Sequence, residues 1–360
     1  MADTPPILTT TTTTTTTTTE RSAIPVSQRP VVTLQKSSDP GITASLHVGD
    51  PDRYVVDAAD GTPLVVRRWT RGAGPTIVLC DGLGCDGYVW PYLIQRFLGE
   101  RPMLHLQWRG HGESGVPKDL DSVRMEVMVD DLSQVLADFG VDDVILLGHS
   151  MGVPIALECW RAFSQQRFSA QVRGLGLFCG VFEDPIKTWH GAHALDAHRP
   201  IANLVMNLIF EQGTQGIIGR WQQLSGLWKR LVSSNFAYNT TVQGELNPAY
   251  IHERDFRPYM EHLGRMDMRV FARLARDMRA HSARDVLPTI TAPTLVIGGA
   301  RDKFAPPWIA EEMQARIPDS ELLMMVEGSH CAPIEQPRLV ERAVLRLLSR
   351  IEQDLQRMKG

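Results

Sequence analysis

Several features of secreted, nucleic-acid-binding and membrane-spanning proteins are scarce in this 360-residue sequence. Its five cysteines are an odd number, and their spacing resembles neither a disulfide framework nor a metal site. The formal net charge of -4 at pH 7 gives no argument for binding nucleic acid or an anionic membrane. No apolar run approaches the roughly 18 residues that a transmembrane helix needs. These scarcities favour a cytoplasmic protein with no nucleic-acid partner and no integral membrane segment.

The first 50 residues have no periodic apolar pattern, and an unbroken threonine tract fills residues 9–19. Without an apolar face to bury, nothing offsets the conformational entropy that ordering this segment would cost. The segment also lacks the basic start and the apolar stretch of a secretory signal. We therefore predict a disordered, threonine-rich tail over residues 1–50, with folded structure beginning near Asp52.

The rest of the sequence has the composition of a globular protein with a large core, since 43% of all residues are hydrophobic and 22% are charged. Short apolar runs alternate with helical patterns, which predicts a mostly parallel sheet with helices on both faces. The predicted strands lie at residues 54–56, 64–66, 76–80, 103–107, 144–147, 172–179, 294–297 and 322–326. The first two flank Asp60-Gly61, a pair typical of a hairpin turn. The fold class is therefore α/β, with a doubly wound sheet.

The fifth predicted strand runs into the pentapeptide Gly148-His149-Ser150-Met151-Gly152, and a helical pattern follows it. The pattern G-x-S-x-G between a strand and a helix is typical of a nucleophile elbow. Glycines are needed there because the serine takes a strained conformation, in which flanking side chains would collide with the strand and the helix. Ser150 is therefore the candidate nucleophile, held at the carboxyl end of the sheet beside a helix N-terminus.

Three motifs follow apolar strands in a set order: Asp81-Gly82-Leu83-Gly84, Arg109-Gly110-His111-Gly112 and the serine pentapeptide. In this order they resemble the α/β-hydrolase superfamily, and the resemblance extends over about residues 54–348. It implies the α/β-hydrolase type of sheet and a serine hydrolase of the carboxylesterase or lipase kind, which needs no cofactor.

The resemblance also implies partners for Ser150. Asp302 lies in the loop after the strand at 294–297 and resembles the acid of the family. His330 lies in the loop after the last strand and resembles the family's catalytic histidine. Ser150, Asp302 and His330 are therefore the implied triad, in the chain order Ser, Asp, His. His111 belongs to a structural turn of the family and is not expected to act as the base.

The family's oxyanion loop usually reads His-Gly-x-Gly, and this sequence has Asp81 at the first position. The resemblance implies that the backbone N–H groups of Leu83 and Met151 form the oxyanion hole. A carboxylate aimed into the site would oppose a developing oxyanion. We therefore expect Asp81 to point away and to accept hydrogen bonds from backbone N–H groups of its loop.

More than 100 residues separate the sixth and seventh predicted strands, which is too many for an ordinary connection. Family members often carry a helical cap at this point, and helical patterns at residues 204–209 and 270–278 agree. The resemblance thus implies a hydrolase core over residues 51–181 and 286–360, with a cap over residues 182–285. Aromatic candidates for lining a substrate pocket under the cap are Trp189, Trp221, Trp228, Phe236 and Tyr250.

The predicted cap also contains three closely spaced histidines, His190, His193 and His198. No cysteine or tightly spaced acid accompanies them, so no metal site is predicted there. The cap is expected to serve the substrate instead, and its apolar composition favours a hydrophobic small molecule.

The sequence thus predicts a serine hydrolase that cleaves a carboxylic ester through an acyl-enzyme on Ser150. The same triad also serves lactone opening, carbon–carbon bond hydrolysis, amide cleavage and acyl transfer, and these alternatives stay open. Epoxide hydrolases and haloalkane dehalogenases of this fold use an aspartate nucleophile, so a serine at position 150 argues against both. A non-catalytic ligand-binding protein of the same fold is a third interpretation. The oligomeric state has no sequence signal.

Overall fold

The computed structural model describes residues 31–34, 51–185, 223 and 225–358. Within this part of the chain, a single sheet of nine strands is covered by helices on both faces. The strands are β1 (Val31–Leu34), β2 (Asp52–Asp57), β3 (Pro63–Trp69), β4 (Thr76–Cys80), β5 (Met103–Leu106), β6 (Asp143–His149), β7 (Gln171–Phe178), β8 (Thr294–Gly299) and β9 (Ser320–Met325). Their order across the sheet is β1-β9-β8-β7-β6-β4-β5-β3-β2. The predicted fold class is confirmed.

Most neighbouring strands run parallel, as the sequence predicts. The seven strands β1, β9, β8, β7, β6, β4 and β5, which are consecutive in the sheet, all run parallel to their neighbours in this group. The exception is β3, which is antiparallel to both β5 and β2. Because parallel strands end at one edge, the loops that follow β4, β6, β8 and β9 lie at the same edge of the sheet.

Helices on the two faces bury separate apolar clusters against the sheet. One face carries α2 (Met125–Asp138), α3 (Gly152–Ser164) and α7 (Pro307–Arg316). The other face carries α1 (Pro91–Phe97), α8 (Ala332–Glu335) and α9 (Pro337–Arg357). The long helix α9 buries an apolar stripe against the sheet, with Val340, Val344, Leu347 and Ile351 almost fully inaccessible to solvent. The sheet is therefore doubly wound.

The strand β1 corrects one expectation. A disordered tail was expected over residues 1–50, yet Val31–Leu34 forms a parallel edge strand that pairs residue by residue with Leu322–Met325 of β9. The run Val-Val-Thr-Leu has the β-branched composition of a strand. Its four residues are too few to stand out as a strand without the partner edge. The other residues of the expected tail lie outside the described part of the chain.

The long insertion between β7 and β8 is mostly helical where it is described. It contains α4 (Asn235–Glu245), α5 (Glu253–Arg265) and α6 (Met268–Ala280), and residues 225–232 are also helical. The helix predicted at 270–278 is α6, which buries Val270 and Leu274 completely. The helix predicted at 204–209 lies outside the described residues. Among the described residues, no helix has both the length and the apolar character needed to cross a bilayer.

Candidate active site

Ser150 occupies the sharp turn between β6 and α3. Its φ of 55° is in the left-handed region, which residues with a side chain rarely adopt. The Ser150 N–H donates to the carbonyl of Phe178 at 3.0 Å, and its carbonyl accepts from the N–H of Val153 at 3.0 Å. These two bonds hold the strained turn, and the hydroxyl stands at the carboxyl edge of the sheet.

The two glycines of the pentapeptide meet the steric need that the sequence predicts. A Cβ on Gly152 would lie 1.9 Å from the carbonyl oxygen of Cys80 on β4. A Cβ on Gly148 would lie 2.3 Å from the carbonyl oxygen of Gly152. Contacts this short are forbidden, so only glycine lets α3 start directly against the sheet.

The structure brings the three candidate catalytic side chains together. His330 Nε2 lies 2.9 Å from Ser150 Oγ, and His330 Nδ1 lies 2.9 Å from Asp302 Oδ2. A carboxylate only accepts, so Nδ1–H donates to Asp302, and Nε2 is left with the lone pair that faces the serine hydroxyl. The Asp302 side chain is inaccessible to solvent, and His330 is 15% exposed. This is the geometry in which an imidazole can take a proton from Ser150.

The loop that carries His330 is tied down by a buried carboxylate. Glu335 accepts a hydrogen bond from the Ser329 N–H at 2.6 Å and another from the Ser329 hydroxyl. Burial raises the pKa of Glu335, although its hydrogen bonds oppose the shift. Asn247, from the insertion, donates through Nδ2 to the Glu327 carbonyl at 2.7 Å. The histidine loop is therefore fixed from the core and from the insertion.

A second histidine, which the sequence analysis did not single out, links the serine turn to the histidine loop. His149 Nε2 donates to the backbone carbonyl of His330 at 2.7 Å. Burial and the nearby His330 lower the pKa of His149 to about 3, so its ring stays neutral. Its position next to Ser150 was the available signal, but the pentapeptide accepts any residue there.

The loop from Asp81 to Gly87, the predicted oxyanion loop, follows β4 and lies beside Ser150. Asp81 is buried, and its carboxylate accepts from the Gly87 N–H at 2.8 Å and from the Trp90 indole N–H at 2.7 Å. The bond to a loop N–H was expected and is confirmed at Gly87. The bond to Trp90 was not expected, nor was a hydrogen bond between Asp81 Oδ2 and His105 Nε2 at 2.7 Å.

The Asp81 carboxylate remains charged despite its burial. Burial alone would raise its pKa, but attraction to His105 and the hydrogen bonds together bring the pKa below its ordinary value. The side chains that bond to the carboxylate, those of Trp90 and His105, are themselves buried. Asp81 therefore holds the loop in place by accepting hydrogen bonds from Gly87 and Trp90.

The backbone N–H groups of Leu83 and Met151 are the two predicted donors of the oxyanion hole. Leu83 lines the cavity beside Ser150, and Met151 directly follows the serine and is buried. Within the described part of the chain, neither N–H donates to a protein acceptor. Both residues therefore have a donor to offer to a bound group.

His111 does not line the cavity beside Ser150. Its Nε2 accepts from the Gly84 N–H at 3.1 Å, and its Nδ1 donates to the Arg109 carbonyl at 3.2 Å. Burial and the neighbouring His262 lower its pKa to about 4. The ring has no lone pair left to act as a base, in keeping with the structural position expected for it.

A cavity of about 300 Å³ lies against Ser150 and His330. Its wall is mostly apolar and comes from both the core and the insertion, with Leu83, Val181, Phe304, Leu246, Phe256, Tyr259, Phe271 and Met278 among its lining residues. The aromatic candidates Trp228, Phe236 and Tyr250 do not line it. Trp189 and Trp221, like the three closely spaced histidines, lie outside the described residues.

The sequence also matches a known family. The profile of the "Alpha/beta hydrolase family" matches residues 77–343, which is most of the chain. The AB hydrolase superfamily protein YfhM of Bacillus subtilis (strain 168) is 23% identical over 296 residues, covering 80% of this chain and 95% of YfhM. Epoxide hydrolase 3 of Mus musculus is 25% identical over 88 residues, 24% of each protein. The chain thus spans about a quarter of the length of the first epoxide hydrolases it matches.

The fold also resembles solved structures. A thermophilic esterase from Thermogutta terrifontis with malate bound aligns with a TM-score of 0.62 at 21% sequence identity. The alignment covers 83% of this chain and 99% of the esterase. At this identity the likeness extends to the fold alone, and the reaction has to be argued from the site.

Proposed function

Because the chain belongs to the alpha/beta hydrolase family, we propose that it is a serine hydrolase that cleaves carboxylic esters through an acyl-enzyme on Ser150. The observation that carries the proposal is the hydrogen-bonded line from Ser150 through His330 to Asp302, at 2.9 Å for each step. A serine hydroxyl is a weak nucleophile until a neighbouring base removes its proton. This arrangement supplies the base and orients it.

In the proposed mechanism, Ser150 Oγ attacks the ester carbonyl while its proton passes to His330 Nε2. Asp302 stabilises the imidazolium that forms, and His330 then delivers the proton to the departing alcohol. Water, activated by the same histidine, hydrolyses the acyl-enzyme and releases the acid. The N–H groups of Leu83 and Met151 would hold the oxyanion, each contributing about 3 kcal/mol to lowering the barrier.

The insertion supports a hydrophobic substrate. Its helices α5 and α6 supply Phe256, Tyr259, Phe271 and Met278 to the cavity wall, opposite the serine. We propose that the insertion is a cap, extending over about residues 182–285, and that residues 51–181 and 286–360 form the core. A largely apolar cavity of about 300 Å³ suits a short or medium hydrophobic acyl or alcohol group.

The first experiment combines active-site labelling with a substrate panel. A fluorophosphonate should label the wild-type protein at Ser150 and leave Ser150→Ala unlabelled, because labelling needs the activated hydroxyl. p-Nitrophenyl esters of graded acyl length, a lactone and an anilide are then compared by kcat/KM, and the esters should be the best substrates. Ser150→Ala should lose at least about 10³-fold in kcat.

The outcomes separate the remaining interpretations. A protein whose serine is labelled but which prefers the lactone or the anilide keeps the triad and contradicts the ester assignment. A protein that binds hydrophobic ligands while its serine stays unlabelled is a receptor and not an enzyme. Full ester turnover by Ser150→Ala would contradict the proposed nucleophile.

A further inference from the structure

Resting on the proposed function, we propose that His262 of α5 is a positioning residue for the oxyanion hole, because it holds the backbone of Gly84 in the oxyanion loop. His262 is 178 residues from Gly84 in the sequence and is 6% exposed. Its ring nitrogens bond to the backbone of Gly84 and Gly112, so it would act through the loop.

The first step of the argument is the shape of the loop. The Cys85 N–H donates to the Gly82 carbonyl at 3.2 Å, and Gly84 has a φ of +72°, so residues 82–85 form a turn that needs glycine at its third position. In a trans peptide the carbonyl and the next N–H point in opposite directions. The Leu83 N–H therefore points away from the turn's own hydrogen bond, and its direction depends on how the turn is held.

The second step is what holds the turn. The Gly84 N–H donates to His111 Nε2 at 3.1 Å, and the Gly84 carbonyl accepts from His262 Nδ1 at 2.8 Å. Both polar groups of Gly84 are thus fixed by imidazoles whose rings stack 6.1 Å apart and 20° from parallel. His111 and His262 together form a histidine clamp on Gly84. The first bond fixes the Leu83–Gly84 peptide and the second fixes the Gly84–Cys85 peptide. The neighbouring peptide, which carries the Leu83 N–H, is thereby restrained from rotating.

The third step is how the clamp is itself fixed. His262 Nε2 accepts from the Gly112 N–H at 2.7 Å while Nδ1 donates to Gly84, so only the neutral ring with its proton on Nδ1 makes both bonds. Its neighbour Leu263 packs closely on the loop: a Cβ on Gly84 would lie 3.1 Å from Leu263 Cδ1. Helix α5 therefore connects the oxyanion loop to the turn that carries Gly112.

Side chains that preserve one bond or the other test this role. His262→Asn keeps a donor near the Nδ1 position, so it should retain the bond to Gly84. His262→Gln places an acceptor near the Nε2 position, so it should retain only the bond to Gly112. His262→Leu loses both. If the bond to Gly84 positions the oxyanion hole, the Gln and Leu variants should lose about 10- to 100-fold in kcat on the best p-nitrophenyl ester, and Asn should stay within about threefold of wild type.

A purely structural role would not give this pattern. Binding of the ester before reaction does not use the oxyanion hole, so KM should change little while kcat falls. A trifluoromethyl ketone gives a second readout: Ser150 Oγ adds to its carbonyl carbon, His330 takes the hydroxyl proton, and the resulting oxyanion sits in the hole. Its Ki should rise in parallel with the loss in kcat/KM.

His281→Leu is the matched control. His281 also joins the insertion to the core, through a 2.8 Å bond to Glu158 of α3, but it does not touch the loop. It should lower the Tm without changing kcat. Equal kcat for wild type and the Gln variant, or an Asn variant as slow as Gln, would overturn the role of His262. A wild-type protein that neither turns over esters nor reacts with a fluorophosphonate would overturn the proposed function itself. If the Leu variant fails to fold, the comparison of Asn with Gln still decides.

Discussion

The two carboxylate oxygens of Asp302 have different partners, and this division decides what the residue can do. Oδ1 accepts from the backbone N–H groups of Phe304 at 2.8 Å and Ala305 at 2.9 Å. Oδ2 alone faces His330. The backbone bonds lock the orientation of the carboxyl group, so the oxygen that meets the imidazole has no alternative rotamer with equal bonding.

The change Asp302→Asn should therefore move the proton of the His330 ring from Nδ1 to Nε2. The amide oxygen would replace Oδ1 under the two backbone donors, which leaves the amide NH₂ facing His330 Nδ1. An N–H there demands a lone pair on Nδ1, so the proton moves to Nε2, where it blocks removal of the Ser150 proton. We expect kcat on a p-nitrophenyl ester to fall about 10³- to 10⁴-fold with a nearly unchanged Tm. A loss smaller than tenfold would mean that this division of partners does not matter.

At the scale of elements, the serine turn depends on how closely α3 approaches β4. The carbonyl of Cys80, at the end of β4, faces the first residue of α3 with no space for a methyl group. The same approach places the N-terminus of α3 next to the oxyanion loop, where the positive end of the helix dipole favours negative charge. Both the packing of the core and the chemistry of the site therefore require glycine at position 152.

Gly152→Ala tests that demand. A methyl group 1.9 Å from the Cys80 oxygen forces the helix away from the strand, so we expect either no soluble protein or a loss of at least about 3 kcal/mol in unfolding free energy. Gly244→Ala is the matched control, because among the described residues nothing beyond its own stretch of helix α4 lies within 4 Å of its Cβ position. It should raise stability by up to about 1 kcal/mol. Urea unfolding followed by circular dichroism measures both, and a Gly152→Ala protein as stable as wild type would contradict the steric account.

At the scale of the whole molecule, two fully buried histidines link stability to pH. The pKa of His149 is lowered to about 3 and that of His111 to about 4, in both cases mainly by burial. An unfolded chain has histidine pKa values near 6.5. Below that pH these two histidines bind protons in the unfolded chain but not in the folded chain, so the unfolding free energy falls as the pH falls.

Between pH 7 and pH 5, each of these histidines should contribute a loss of about 2 kcal/mol in unfolding free energy. His149→Gln can keep the donor to the His330 carbonyl but does not titrate, so its loss over this range should be about 2 kcal/mol smaller than that of wild type. Urea midpoints at the two pH values measure the difference. His252→Gln, at an exposed position, should keep the wild-type dependence. Identical pH dependence in all three proteins would contradict the assignment to His149.

How much the sequence predicts depends on the range of the interactions. The strands β4 and β6 and the helix α6 follow from local apolar periodicity. Ser150 follows from a local motif, and Asp302 and His330 follow from the resemblance of their strand-end loops to those of the family. Periodicity and strand ends are local signals, so they are visible in one sequence.

The supports of the site could not be predicted in this way. Asp81 meets His105 across 24 residues, and Gly84 meets His262 across 178. Nothing near either histidine in the sequence marks its partner, because these contacts exist only after the sheet and the insertion have packed. Three of the aromatic residues predicted to line the pocket, Trp228, Phe236 and Tyr250, do not line it, because side-chain type alone does not tell which face of a helix meets the cavity.

The short strand β1 has a consequence for the behaviour of the protein in concentrated solution. It occupies the outer edge of β9, so the backbone groups along that side of β9 are hydrogen-bonded. A chain shortened to begin at Asp52 would expose this row of unpaired groups, which is a template for adding a strand from a neighbouring molecule. Four residues far from the serine thus guard against aggregation, and an expression version trimmed for crystallisation would do well to retain them.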